Sequence, residues 1–329
     1  ALGPSIGGVL VDWFGWRSIF FMVVPLCLAS LWQAYRFVPV TAPGGAEAGG
    51  DGAGLDWRGL LLGAGGTLCL LNGLVALHGG PAGESAGLLG AALAALVLFV
   101  WWQRRLLARG GKPLMDLRLF GYRQFAMGCV VAFIYGTALF GSTYLLPVFM
   151  QLGLQLSASH VGAIMLPAGI ALAATIALVG RLADRRPTPL LVGTGLALLA
   201  ASFALMVLVR PGTALWLLVA VTIVGRVGLG FILPSLNLGA MRPLDKALIS
   251  QGSSAISFIR MLGGAAGVSL CAIVLEWRLA AHGATLAGTA ASASRSAAFA
   301  ETFLMLTGLC LVALAAAWQL REPEPGRPS

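Results

Sequence analysis

An all-α, polytopic membrane fold is what this sequence predicts, on three observations. Hydrophobic residues make up 58% of the chain and charged residues only 10%, with a mean hydropathy of +0.90. A soluble domain carries about 25% charged residues, so this chain has too few to cover a surface facing water. Apolar runs near the roughly 20 residues needed to cross a bilayer recur along the sequence. The basic residues behind the net charge of +9 fall in short clusters between those runs. That pattern sets nucleic acid aside as a partner and points to the bilayer.

In chain order, residues 1–11 make half a span. Full spans are predicted at 16–35, 58–77, 86–103, 125–147, 161–181, 189–209, 214–236, 255–276 and 299–320. The partly apolar stretch between 147 and 161, "VFMQLGLQLSASH", extends the helices or lies at the membrane interface. The segment 39–56, "PVTAPGGAEAGGDGAGLD", is rich in Gly, Ala and Pro and reads as a flexible linker. The stretch 279–297, "LAAHGATLAGTAASASRSA", reads as a long outer loop without chemistry. The tail "REPEPGRPS" reads as disordered. With no initial Met and no charged segment before the first apolar run, no signal peptide is expected. The chain reads as the C-terminal portion of a longer protein.

Orientation follows from the basic residues. With the connection after the half-span placed outside, the inner side holds Arg36, Arg58, Arg104, Arg105, Arg109, Lys112, Arg118, Arg123, Arg181, Arg185, Arg186, Arg242, Lys246, Arg260, Arg321 and Arg327. The outer side holds Arg17, Arg210, Arg278 and Arg295, and Arg226 falls within a span. This asymmetry predicts a cytoplasmic C-terminus. The five cysteines lie inside apolar runs without CxxC spacing, and the three histidines are isolated. No disulfide, metal or cofactor site is expected, and no enzyme site is named.

The opening "ALGPSIGGVLVDWFGWRSIFF" places Gly3, Pro4, Gly7 and Gly8 inside an apolar run. Membrane helices tolerate such residues, and glycine lets helices approach closely. "GPSIGG" followed by "WFGWRSIFFMVVP" resembles the end of the fifth helix of major facilitator superfamily drug:proton antiporters, where Gly-Pro-x-x-Gly-Gly is the antiporter motif. Val23 stands where that family usually has Asn. "PLMDLRLFGYRQF", "YLLPVFMQLGLQLSASHVGAIMLP", "GRLADRR", "VGRVGLGFILP" and "FIRMLGGAAGVSL" resemble later segments of its fourteen-helix, EmrB/QacA-type subfamily, in order along nearly the whole chain.

The resemblance implies a major facilitator helical bundle with a substrate cavity between two six-helix halves. Residues 1–36 would close the first half, 37–57 form a cytoplasmic linker, and 58–103 form two linking helices. Residues 104–124 would be a basic cytoplasmic connection, 125–320 the second six-helix bundle, and 321–329 a cytoplasmic tail. The implied function is proton-driven export of small, amphipathic or drug-like molecules from the cell (inner) membrane. Substrate and protons are the implied partners, with periplasmic adaptor proteins added if the host is Gram-negative. A sensor, scaffold or channel subunit on the same fold, and a dedicated metabolite exporter, are the alternatives.

Several residues are candidates for that function. Gly3, Pro4, Gly7 and Gly8 serve close packing or a sealing contact between the halves. Gly180, Arg181, Asp184 and Arg185 form a solvated loop or, by resemblance, a cytoplasmic latch. Pro187 replaces a glycine usual in that loop motif. Arg226, near mid-span, must face protein or a water-filled cavity, because a central arginine costs roughly 2.5–3.5 kcal/mol on insertion scales. Glu276 and Glu301 sit at outer ends of spans, as interfacial charges or as part of a proton path. Gly263, Gly264 and Gly267 make one smooth face, with a GxxxG pair. Trp101 and Trp102 read as interfacial belt residues.

Overall fold

The computed structural model describes residues 10, 14–37, 56–77, 82–111, 113–183, 185–286 and 293–320. Nine α-helices follow one another among them: α1 (Ser18–Phe37), α2 (Trp57–Ala76), α3 (Ala82–Ala108), α4 (Arg123–Val148), α5 (Ala158–Leu182), α6 (Thr188–Met206), α7 (Leu215–Met241), α8 (Ile249–Ala281) and α9 (Ala293–Ala317). All nine are long and apolar enough to cross a membrane. Residues 1–9 and the segment 38–55 lie outside the described residues, as does the tail from 321.

Helices α4 to α9 share one core. Its largest buried side chains include Tyr135, Phe149, Phe203, Phe299 and Phe303. The main helix pairs are α4 with α8, α6 with α7, and α5 with α7, while α9 packs on α6, α4 and α8. Helices α2 and α3 form a hairpin that touches α8 through α2. Helix α1 is exposed along its length, with Phe21 and Tyr35 among its bare side chains. Apolar surface facing lipid is ordinary for a membrane helix, so exposure here is no defect.

The stretch after α4 extends it. Pro147, which has no N–H to donate, lies within the last turn of α4, and Phe149 N still donates to Leu145 O and Leu146 O. A π-helical turn over Phe149–Gly153 follows, with Leu154 N donating to Phe149 O at 3.0 Å. The wider turn directs Phe149 onto Phe299 and Phe303, with ring centroids 5.2 and 5.4 Å apart. Gln155, at φ 60°, then reverses the chain into α5. The Ser157 hydroxyl caps that helix by accepting from His160 N.

Four boundaries differ from the sequence expectation. The linker does not run to residue 57: Asp56 is the N-cap of α2, and its carboxylate accepts from Gly59 N at 2.9 Å. Helix α3 continues to Ala108, into the expected basic connection. Helix α8 begins at Ile249 and not at 255, so Arg260, expected just inside the inner end of its span, lies three turns into the helix. The expected outer loop 279–297 is helical at both ends, because α8 runs to Ala281 and α9 starts at Ala293. Small residues such as Ala and Ser hide the helical signal there, since they carry almost no hydrophobic periodicity.

Candidate functional site

The interior of the bundle is built on glycine contacts. On α8, a Cβ at Gly267 would stand 2.5 Å from Thr137 Cα and 2.8 Å from Thr137 O on α4. One at Gly263 would stand 2.8 Å from Phe133 Cα, and one at Gly136 only 2.9 Å from Gly264 N. Gly264 itself faces the Phe140 ring. Backbone meets backbone along this seam, a contact open only to glycine. The Thr137 hydroxyl crosses it, donating to Gly263 O at 2.9 Å. A second seam joins α6 to α7, where a Cβ on Gly195 or Gly228 would stand 2.7 Å from the other's carbonyl oxygen. These seams place α7 and α8 close against their partners and leave side chains elsewhere to fill the space between.

Arg226 occupies that space. It is the twelfth residue of α7, and only 7% of it is exposed. Tyr135 on α4 lies within electrostatic range of both Arg226 and Arg260. No hydrogen bond or ion pair joins the Arg226 guanidinium to another described residue. On the turn before it, the Thr222 hydroxyl donates to Leu218 O, and Ser202 on α6 donates to Val221 O at 2.8 Å. An isolated buried charge is costly, so a guanidinium kept here calls for water or an anionic group that reaches it.

Glu301 is held elsewhere. It stands eight residues into α9, roughly 12 Å from the helix start at 1.5 Å per residue. The helix thus begins before the span predicted from 299, at whose outer end Glu301 was expected. Arg278 on α8 donates to its carboxylate, and His282 Nε2 stands 3.2 Å from Oε2. Glu276, also on α8, is exposed. These acids form no cluster with Arg226. Arg295, expected in the outer loop, is instead 4% exposed and donates to Thr285 O and Leu152 O at 3.2 and 3.0 Å. Nothing in the flanking polar residues signals this, because its acceptors are backbone carbonyls from two other segments.

The opposite, basic end carries a second polar network that the sequence does not reveal. Asp56 accepts from Trp102 Nε1 at 2.9 Å and Gln103 Nε2 at 2.8 Å, fastening α2 to α3. Trp102 is thus more than a belt residue, and Arg58 stacks over its ring. Burial opposes ionisation of Asp56, but hydrogen bonds from Gly59, Trp102 and Gln103 outweigh it and hold the carboxyl below its ordinary value. Asp116 pairs with Arg118, which lowers its carboxyl likewise, and Asp116 N donates to Gln251 Oε1 on α8 at 3.0 Å. Partners 46 and 135 residues apart leave no local signal.

The remaining candidates fall as follows. Gly3, Pro4, Gly7, Gly8 and Asp184 lie outside the described residues. Gly180 faces open space, so no close approach requires glycine there, and Arg181 and Arg185 are exposed. Among the described residues no group of three or more His, Cys, Asp or Glu side chains could hold a metal ion.

Comparison with known proteins agrees with this architecture. The multidrug resistance protein B homolog of Mycobacterium tuberculosis is 28% identical over 84% of this chain and 50% of its own length. The drug efflux pump JefA of the same organism is 31% identical over 87% of this chain and 55% of its own length. The lincomycin resistance protein LmrB of Listeria monocytogenes is 24% identical over 84% of this chain and 57% of its own. The chain spans about half the length of the curated relatives it matches. Residues 1–268 match the family model of the Major Facilitator Superfamily, and with its apolar helices the chain is a multi-pass membrane protein belonging to that superfamily of transporters.

Proposed function

We propose that this chain forms part of a proton-coupled antiporter that exports small amphipathic or drug-like molecules by alternating access. The observation that carries the reading is Arg226, a charge at mid-helix, buried in the bundle and without a described partner. Ionisable groups placed so in a membrane mark substrate or ion pathways. The antiporter-type sequence Gly3-Pro4-Ser5-Ile6-Gly7-Gly8 supports the exchange of substrate for protons, and the multidrug-resistance and drug-efflux names of the relatives support drug-like molecules as the cargo. In this reading α4–α9 form the second six-helix bundle and α2–α3 link it to the first, which α1 helps to close. The basic end faces the cytoplasm, the membrane is the cell (inner) membrane, and periplasmic adaptors join if the host is Gram-negative. Gly3, Pro4, Gly7 and Gly8 seal the contact between the bundles, and Gly180, Arg181, Asp184 and Arg185 form the cytoplasmic latch.

Dye export tests this. Cells of an efflux-deficient host expressing the full-length protein that contains this chain are loaded with ethidium, and its loss is followed before and after an uncoupler collapses the proton gradient. Export that stops with the gradient supports the reading; export indifferent to it, or none at all, contradicts it. A second reading, a dedicated exporter of an anionic metabolite, is favoured by the positive sign of the interior, where Arg226 and Arg260 both lie near Tyr135. Export of an anionic fluorescein derivative but not of ethidium would select it.

A further inference from the structure

A groove of about 510 Å³ opens at the basic end, between the first turns of α6 and the last turns of α9. Pro187, Pro189, Leu190, Gly193, Leu314 and Trp318 line it. Position 193 faces this space: a Cβ there would make a single ordinary contact, with Leu314 Cδ1 at 3.6 Å. The walls offer no free polar group. The hydroxyl of Thr194, which also lines the groove, is turned back onto Leu190 O and Leu191 O at 2.5 and 3.0 Å. Leu190 and Trp318 are 55% and 61% exposed, so the groove opens outward and is not sealed within the core. Its occupant in this region must be apolar.

The rim is cationic. Arg185 and Arg186 immediately precede the lining residue Pro187, are exposed, and their backbone N–H groups both donate to Leu182 O at 3.0 Å, which holds this turn against the end of α5. Across the groove, Arg123 donates to Gln319, next to Trp318, at 3.2 Å. The segment 181–186 holds three arginines against one aspartate, a net charge of +2. An apolar slot on membrane-crossing helices, lined by a tryptophan and flanked in the chain by exposed arginines, matches one kind of molecule. It has hydrocarbon tails and a phosphate-bearing head. Guanidinium forks bind phosphate in a bidentate way, and basic pockets between helices at a charged membrane face select anionic lipids.

We propose that the α6–α9 groove binds an anionic phospholipid, with an acyl chain between Gly193 and Trp318 and the headgroup phosphate on Arg185, Arg186 and Arg123. The full chain, purified in detergent, would be mixed with equal amounts of phosphatidylglycerol and phosphatidylcholine carrying the same acyl chains, and bound lipid counted by native mass spectrometry. Phosphatidylglycerol should be retained several-fold over phosphatidylcholine. The double variant Arg185→Gln/Arg186→Gln should bring it down to the phosphatidylcholine level, a several-fold loss. Gly193→Leu, which fills the slot, should release both lipids; Trp318→Ala, which removes a wall, does so independently should the first variant not give monodisperse protein. Equal retention of the two lipids by the unaltered chain, a preference that survives loss of both arginines, or phosphatidylglycerol still bound after both slot variants would each overturn the proposal. So would displacement of the lipid by ethidium or by dimerisation, since either assigns the groove to another occupant.

Discussion

Replacing Gly267 by alanine tests the close approach of α4 and α8. The added methyl carbon would stand 2.5 Å from Thr137 Cα. Ordinary carbon contacts lie at about 3.5–4.0 Å, so the helices must part by about 1 Å. Both atoms belong to backbone or Cβ, so no side-chain rotation relieves the overlap. Overpacking of this kind costs about 1–3 kcal/mol. The Thr137–Gly263 hydrogen bond, 2.9 Å long, stretches with the seam, at a cost of about 0.6 kcal/mol for a typical bond between membrane helices. The expected loss is therefore about 2–4 kcal/mol. Unfolding in mixed micelles of increasing dodecyl sulfate content, followed by tryptophan fluorescence, measures it. Gly308→Ala and Gly90→Ala are the controls, since a Cβ at either meets nothing within 4 Å. These should hold their stability or gain up to about 1 kcal/mol from helix propensity. A Gly267→Ala protein as stable as the controls would refute the seam.

Three further outcomes follow from other parts of the molecule. Asp56→Ala should loosen the α2–α3 hairpin by about 1–3 kcal/mol, because Trp102 Nε1, Gln103 and Gly59 N lose their acceptor; faster amide exchange at Gly59 reports it, and Asp56→Asn should lose less. The Asp56 carboxyl is depressed below its ordinary value of 3.8, so its contribution is complete above that pH and fades as the pH falls through the lower folded value; protection of Gly59 should be flat from about pH 5 to 8. Arg295→Gln should cost about 1.5–3 kcal/mol in the same unfolding assay, as its charged hydrogen bonds to Thr285 O and Leu152 O are lost, whereas Glu301→Gln, in a partly exposed pair, should cost under about 1 kcal/mol.

The membrane helices are legible in the sequence because bilayer thickness fixes their length and the shortage of charge leaves no other setting. Gly263 and Gly267 are legible as a close-packing face because GxxxG spacing repeats on one side of a helix. Their partners are not: Phe133 and Thr137 lie about 130 residues away, and nothing local ties them to α8. Arg226 stands out because a charge in an apolar run is rare. Arg260 and Arg295 do not, since each lies near an end of its apolar run, where an arginine passes for a loop residue. Asp56 hides for a related reason, as the last residue of a Gly/Ala/Pro stretch whose composition suggests no helix cap. Contacts between distant segments, made through backbone carbonyls or single amide side chains, carry no periodicity to read.

The account rests on a guanidinium inside the bundle that serves transport and not packing, and Arg226→Leu addresses this most directly. If Arg226 were held by structural partners, its loss would leave them unpaired, at about 1–3 kcal/mol or more for charged partners. The protein level would then fall. If instead the group awaits an aqueous ligand, leucine is easier to insert at that depth. Membrane abundance and proton-driven dye export should be measured side by side for the unaltered protein, Arg226→Leu and Arg226→Lys. The expected result is normal abundance with sharply reduced export for leucine, and partial recovery for lysine, which keeps the charge but not the planar fork. Full export by the leucine variant, or disappearance of the protein itself, would contradict it.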